Sequence, residues 1–297
     1  DKIEIKNHIK KFELFHLSGG HNADGSEENS LDINTIKLNL SKKFRNVSSV
    51  AITGKFSVRN PDHELKTKEI IRRLLPIPVT CSHELTSNLN AQNRALTCAL
   101  NASLTGIISQ LISDVEKMIH EFNLKARLMV VKGDGSIINS ISARSKPIET
   151  IMSGPAASSI GATWLSKIKD AFVVDIGGTT TDISIIKSGA PTVTKRGAKI
   201  GQFQTMIESI EVQTIGLGGD SEVKINEEDE EFKISLGPKR ITPLSILGDI
   251  YPETINILNQ QNNLPITSIS DGKFVWLKNS IPPPGWLTKM ELNILSK

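Results

Sequence analysis

Two carboxylates and three threonines surround a pair of glycines in Asp175-Ile176-Gly177-Gly178-Thr179-Thr180-Thr181-Asp182. Those residue types suit an anion and its counter-cation. Gly177 and Gly178 admit positive φ, so consecutive N–H groups can converge on a phosphate, and the hydroxyls of Thr179, Thr180 and Thr181 can donate to its oxygens. Asp175 and Asp182 are acceptor-only groups able to hold a hydrated cation such as Mg²⁺ beside those phosphates. Further along, Gly216-Leu217-Gly218-Gly219-Asp220 offers bare backbone against which a ribose or purine can lie. No Gly-Lys-Ser/Thr follows the first pair, and a strand rather than a helix comes next, so neither a P-loop nor a dinucleotide fingerprint is present. An ordinary tight turn between two strands is the competing reading.

The elements that must position these groups are strands. Residues 171–176 form a short β-branched run of the kind buried on both faces of a sheet, and Ile183, Ile185 and Ile186 continue the chain as a second strand. Residues 211–215 give a third, leading into the second glycine turn. Between residues 149 and 162 the chain is rich in small residues, Ala, Ser and Gly, with Ser153 as a helix cap and Pro155 in the first turn. Such a helix lets its neighbour approach closely.

Upstream, strands over 11–17, 47–53 and 77–80 alternate with helices over 33–44 and 60–75, an order that implies a parallel or mixed sheet with helices on it. Ser30-Leu31-Asp32 caps the first helix and Asn60-Pro61 starts the second, whose expected buried stripe is Leu65, Ile70, Ile71, Leu74 and Leu75. His63 reads as an exposed or cap-side residue. A long helix over 90–122 carries apolar residues from Leu96 to Ile119 and is expected to run through the middle of the molecule. Arg94, Thr97 and Asn101 share one of its faces, looking into a cleft or into solvent. The Lys132-Gly133-Asp134-Gly135-Ser136 turn can present backbone amides, and 281–286, Ile-Pro-Pro-Pro-Gly-Trp, is a stiff extended segment.

The 297 residues are enough for two domains, and an apolar fraction of 38% supports normal cores. A net charge of +3 without a basic tract does not suggest nucleic acid. No window approaches the roughly 20 consecutive apolar residues of a membrane span. With no signal peptide and only Cys81 and Cys98, two thiols expected to be buried, the expected location is the cytoplasm. Six histidines, at 8, 16, 21, 63, 83 and 120, lack metal-ligand spacing.

The strand-turn-strand with its two carboxylates resembles the phosphate hairpin of the actin, sugar-kinase and Hsp70 superfamily. The chain as a whole resembles the A-type subunit of the hydantoinase/oxoprolinase family over most of residues 11–245. Arg59-Asn60-Pro61-Asp62-His63-Glu64, Lys132-Gly133-Asp134-Gly135, Ser153-Gly154-Pro155-Ala156-Ala157 and the two glycine turns carry that likeness in order. The resemblance implies an α/β, ribonuclease-H-like fold used twice: a partial domain over 1–90 and a second over 91–297 with a C-terminal extension. It implies ATP and Mg²⁺ as cofactors, a cyclic amide such as a hydantoin or 5-oxoproline as substrate, and a B-type partner subunit. In that reading Asp175 and Asp182 are catalytic through a hydrated cation, Gly177 to Thr181 hold phosphates, and Gly216, Gly218 and Gly219 face the adenosine. Three departures stand out: no Asp-x-Gly-Gly-Thr hairpin occurs before residue 30, Asn93 stands where an acidic residue is usual, and Asp220 stands where glycine is common. They leave two other readings open, a non-catalytic nucleotide-binding or assembly module and a small-molecule kinase.

Overall fold

A computed structural model describes residues 13–43, 47–194, 196–201, 203–228, 231–266, 271–272 and 274. The chain forms two compact units, one of Asp1–Asp175 with Thr181–Ile215, the other of Ile176–Thr180 with Gly216–Lys297. The segment 281–286 and strand residues 11–12 lie outside the described residues.

The first unit begins with a hairpin, β1 (Gly20–His21) and β2 (Glu27–Asn29), and then α1 (Ile33–Lys43). Residues 13–17, expected as a strand, have no regular structure. Asp32 caps α1 as expected, its Oδ1 accepting from the Thr35 amide at 3.0 Å. Strand β3 (Val50–Ile52), helix α2 (Asp62–Leu74) and strand β4 (Val79–Cys81) follow, and β3 pairs in parallel with β4, Val50 opposite Val79. A parallel pair needs a crossover connection, and α2 supplies it. Ile36, Ile71 and Val79 are buried at the centre of the cluster that α1 and α2 make with this pair.

The face that α2 buries differs from the expected one. Ile71 is buried as expected, with Ile70 and Leu75 partly buried, but Leu65 and Leu74 are exposed and the polar His63, Glu64 and Thr67 are buried in their place. After a 3₁₀ turn at Ser82–Glu84 comes α3 (Ala91–Glu121), capped by Asn90, whose Oδ1 accepts from the Asn93 amide at 3.1 Å. Its first half packs on β3 and β4 with Arg94, Thr97, Cys98 and Asn101 all buried. In its second half Ile107, Leu111 and Met118 are exposed, so only part of the helix is central. By length and apolar composition α3 could span a membrane. Its buried arginine and asparagine, hydrogen-bonded into the surrounding fold, mark it instead as a core helix with an apolar outer end.

Strands β5 (Met129–Val131) and β6 (Ile137–Asn139) form a hairpin, then α4 (Ser140–Ser145), a 3₁₀ turn at Pro147–Thr150 and α5 (Ser153–Ser166). The 132–136 turn between β5 and β6 spends its amides internally: Lys132 N donates to Ser136 O, Gly133 N to Glu149 O, Gly135 N to Lys132 O and Ser136 N to Asp134 Oδ1. Met152, not Ser153, caps α5, in the left-handed conformation. The rest of the unit is strand: β7 (Ala171–Ile176), β8 (Thr181–Lys187), β9 (Ala190–Pro191), β10 (Val193–Thr194), β11 (Lys199–Ile200), β12 (Phe203–Gln204), β13 (Ser209–Ile210) and β14 (Val212–Ile215). The main sheet runs β14-β8-β7, with β9 also on β8. β7 is an edge strand, and its Phe172, Val174 and Ile176 are exposed, so it is not buried on both faces.

The second unit contains the 176–180 tip, the 216–220 turn, a hairpin of β15 (Ser221–Glu228) and β16 (Glu231–Arg240), and helices α6 (Leu244–Ile250) and α7 (Glu253–Asn262).

Candidate functional site

Alternation along a strand sends every second side chain to the same face. Val173 and Asp175 on β7 therefore share a face, as do Asp182 and Ser184 on β8, and these four meet Pro155 and Ser159 of α5 and Val212 of β14 around one narrow crevice of the first unit. The small-residue helix makes this approach possible, because Ser159 Oγ and Ser184 Oγ lie 2.6 Å apart and both residues are buried. Asp182 is engaged there: its Oδ1 accepts from Thr214 Oγ1 at 2.5 Å, across the Thr214–Asp182 pair of β14 and β8. Asp175 is half-buried and has no hydrogen-bond partner among the described residues. An unpartnered carboxylate can ligate a cation, but the crevice as it stands is too tight to admit a water molecule, let alone a hydrated cation.

In the second unit the two glycine turns pack directly on each other. Gly219 N donates to Gly177 O at 3.0 Å and Asp220 N to Gly178 O at 2.8 Å. Neither Gly177 nor Gly178 adopts positive φ, contrary to the expectation from sequence. Close approach is what requires glycine here. A Cβ on Gly218 would lie 2.4 Å from the Gly178 carbonyl carbon, and one on Gly178 would lie 2.9 Å from Asp220 Oδ2. Gly177 N closes the tip onto Thr180 O at 2.9 Å, and the amides of Gly178, Thr179 and Thr180 have no partner among the described residues. Thr179 is exposed, Thr180 is half-buried, and Thr181 is a buried strand residue. Gly218 and Gly219 thus brace the first turn, while a Cβ on Gly216 would meet nothing within 4 Å. The Asp220 carboxylate against Gly178 is held by Arg240.

A second polar centre, in the first unit, went unnoticed in the sequence. Glu64 is almost fully buried and its carboxylate accepts four hydrogen bonds. Oε1 takes Gly54 N at 2.7 Å and Ser82 Oγ at 2.6 Å; Oε2 takes His83 N at 3.1 Å and His83 Nδ1 at 2.6 Å. Arg94, equally buried, donates to Gly54 O at 2.7 Å, Lys55 O at 2.9 Å and Ser82 Oγ at 3.4 Å. Burial works against the Arg94 charge and Glu64 supports it. Thr97 and Asn101, which sequence placed toward a cleft or solvent, instead bind the fold together: Thr97 Oγ1 accepts from Met206 N at 3.0 Å and Asn101 bridges Thr80, Ser145 and Ile148.

His63 is likewise buried, not exposed. Its Nδ1 accepts from Gly20 N at 3.1 Å and its Nε2 lies 2.8 Å from Glu27 Oε1. Glu64, Cys81 and His83 bring three metal-ligand types together. They do not fit a metal ion: burial pushes the Cys81 thiol up to about 12, its Sγ donates to Glu64 O, and both Glu64 oxygens are already taken by donors. The signal that could have located this centre is Ser82-His83-Glu84 directly after β4, together with the acidic residue one place after His63.

The Hydantoinase/oxoprolinase profile matches residues 94–249, and its N-terminal-region profile matches residues 2–75. Caprolactamase subunit alpha of Pseudomonas jessenii is 28% identical over 222 residues, 73% of this chain and 31% of that protein. The crystal structure of ATP-dependent caprolactamase from the same organism superposes with a TM-score of 0.62 at 24% identity, over 80% of this chain and 37% of that one. Nucleotide-free acetone carboxylase superposes with a TM-score of 0.63 at 20% identity, covering 80% and 35%. These likenesses show a shared mixed α/β fold, and the chain spans about a third of each relative's length. With one profile covering more than half of its residues, this chain belongs to the hydantoinase/oxoprolinase family.

Proposed function

We propose that this chain supplies the nucleotide-handling part of an ATP-dependent enzyme that opens a cyclic amide of the lactam, hydantoin or 5-oxoproline type. The observation that carries the reading is the tip of the first glycine turn, where the amides of Gly178, Thr179 and Thr180 have no partners among the described residues, on a backbone braced by Gly218 and Gly219. Successive N–H groups without a protein partner suit phosphate oxygens. The family's named relatives include a caprolactamase, which acts on such a ring and is ATP-dependent.

A ring amide carbonyl is a poor electrophile, and ATP when bound supplies the phosphoryl group that would make its carbon attackable. The chain's own contribution is positioning and charge neutralisation. Gly178 to Thr180 would donate backbone N–H groups to phosphate, with the Thr179 hydroxyl beside them. Asp175 and Asp182 would hold Mg²⁺ through water only if their crevice widens to admit it, Asp175 with its whole carboxylate and Asp182 with the oxygen that Thr214 leaves unused. Gly216 offers open backbone to the adenosine. The frame we propose is the ribonuclease-H-like fold used twice, over 1–90 and 91–297, working with a B-type partner subunit.

The test is ATP consumption by the protein, with its partner subunit, in the presence of caprolactam, hydantoin or 5-oxoproline. We expect cyclic-amide-dependent ADP release that is lost in Asp175→Asn. ADP release unchanged by that substitution would overturn the assignment of Asp175.

A further inference from the structure

We propose that His83 is a proton-accepting side chain held ready by Glu64, its Nε2 taking a proton from the water that attacks a ring carbonyl. The identity of that water rests on the cyclic-amide reading; the proton-accepting group itself rests on the geometry below.

With Nδ1 2.6 Å from Glu64 Oε2, the ring donates its Nδ1–H to the carboxylate, which leaves the Nε2 lone pair pointing away from it. The backbone N–H of His83 donates to the same oxygen, so main chain and ring are both anchored there. Glu64 cannot turn, because Gly54 N and Ser82 Oγ hold its other oxygen. The cluster also has a direction. The Glu64 side chain is 1% exposed and that of His83 is 18% exposed, so the ring carries the buried charge out to the surface.

His63, one residue from Glu64 in the chain, is the internal control. Both of its ring nitrogens are occupied, by Gly20 N and Glu27, which is how a histidine serves structure alone. Nε2 of His83 has no hydrogen-bond partner among the described residues. A buried carboxylate with a buried arginine beside it is a costly way merely to fill a core, since apolar residues of similar volume are often as stable. The same arrangement is what a base requires, because the imidazolium formed at Nε2 meets the Glu64 charge through Nδ1. In the step, a water O–H bond breaks as its oxygen bonds to the phosphorylated carbonyl carbon, the proton moves to Nε2 and on to the lactam nitrogen as the C–N bond breaks, and the acyl phosphate that remains loses inorganic phosphate to a second water.

His83→Asn separates this role from a structural one, because the asparagine amide N–H can replace Nδ1–H toward Glu64 while Nε2 is deleted. We expect His83→Asn to fold and to bind Mg-ATP, with cyclic-amide turnover down by about 10²–10⁴-fold. Independently of any substrate, diethyl pyrocarbonate followed by peptide mass spectrometry should label His83 at a rate comparable to exposed His120, and more slowly in Glu64→Gln. Absent labelling of His83 while His120 reacts would overturn the proposal, as would full turnover in His83→Asn. If the native protein turns over no cyclic amide, the substrate reading fails, and the labelling rate and its dependence on Glu64 still decide for or against the proton-accepting group.

Discussion

The Glu64 cluster and the paired glycine turns are both crowded with polar atoms, and they differ in what those atoms have left to offer. Around Glu64, Ser82 and Arg94 nearly every donor and acceptor is matched inside the first unit. At the tip of the first glycine turn, three successive amides have no partner among the described residues, and in the preceding strand Asp175 has none among them either. Matched groups hold a fold together; unmatched groups at a braced position are available to a ligand. His83 belongs to both classes, with one nitrogen spent and one free.

The sharpest way to break this contrast is to remove a matched group. Arg94→Ala removes a buried cation from beside Glu64 and a donor from the carbonyls of Gly54 and Lys55, and denaturant unfolding should show a loss of about 3–5 kcal/mol. A much smaller loss would mean that water already serves the cluster. Next comes Gly218→Ala, whose Cβ has to displace backbone 2.4 Å away. Overpacking of this kind costs about 1–3 kcal/mol, and because it shifts the amides themselves, Mg-ATP affinity should fall with it. An effect on stability without one on affinity would detach the turn from the ligand.

Ser159→Ala leaves Ser184 without its 2.6 Å partner and should cost about 1–2 kcal/mol in thermal or urea unfolding, most of it regained in the Ser159→Ala/Ser184→Ala double variant. Asp220→Asn is expected to act in the opposite sense. Its carboxylate lies against Gly178 beside the unpartnered amides, so removing the charge should tighten Mg-ATP binding by a few-fold, about 1 kcal/mol or less.

The smallest effect is a pH dependence. Burial, helped by His63, lowers the His21 pKa from 6.5. The unfolded chain then binds a proton at pH values where the folded one does not, so this contribution to stability is complete above 6.5 and declines as pH falls below it. Urea midpoints measured between pH 7.5 and 5.5 should fall in the native protein and fall less in His21→Gln.

Sequence and structure agree where the determinants are local. Asp32 caps the helix expected from it, the long helix begins at Ala91 as its span predicts, and the strands flanking Gly177 lie where the β-branched runs put them. The glycine turns were legible as a feature, but the reason for the glycines was not: it is contact between segments far apart in sequence, not backbone torsion. Apolar periodicity located Ile71 but misplaced Leu65 and Leu74, because the buried positions at the start of α2, His63, Glu64 and Thr67, keep a helical spacing with polar side chains. It also misread β7, whose apolar Phe172, Val174 and Ile176 are on an exposed face. Periodicity reports hydrophobic burial, and neither a satisfied polar core nor an uncovered apolar strand carries that mark.

The most direct test of the claim that the unpartnered groups bind nucleotide is isothermal titration of Mg-ATP into the native chain and into Asp175→Asn, with folding checked by circular dichroism. Saturable binding that weakens at least tenfold in Asp175→Asn, about 1.4 kcal/mol, is the predicted result. No binding by the native chain, or equal binding by the two, would contradict the account.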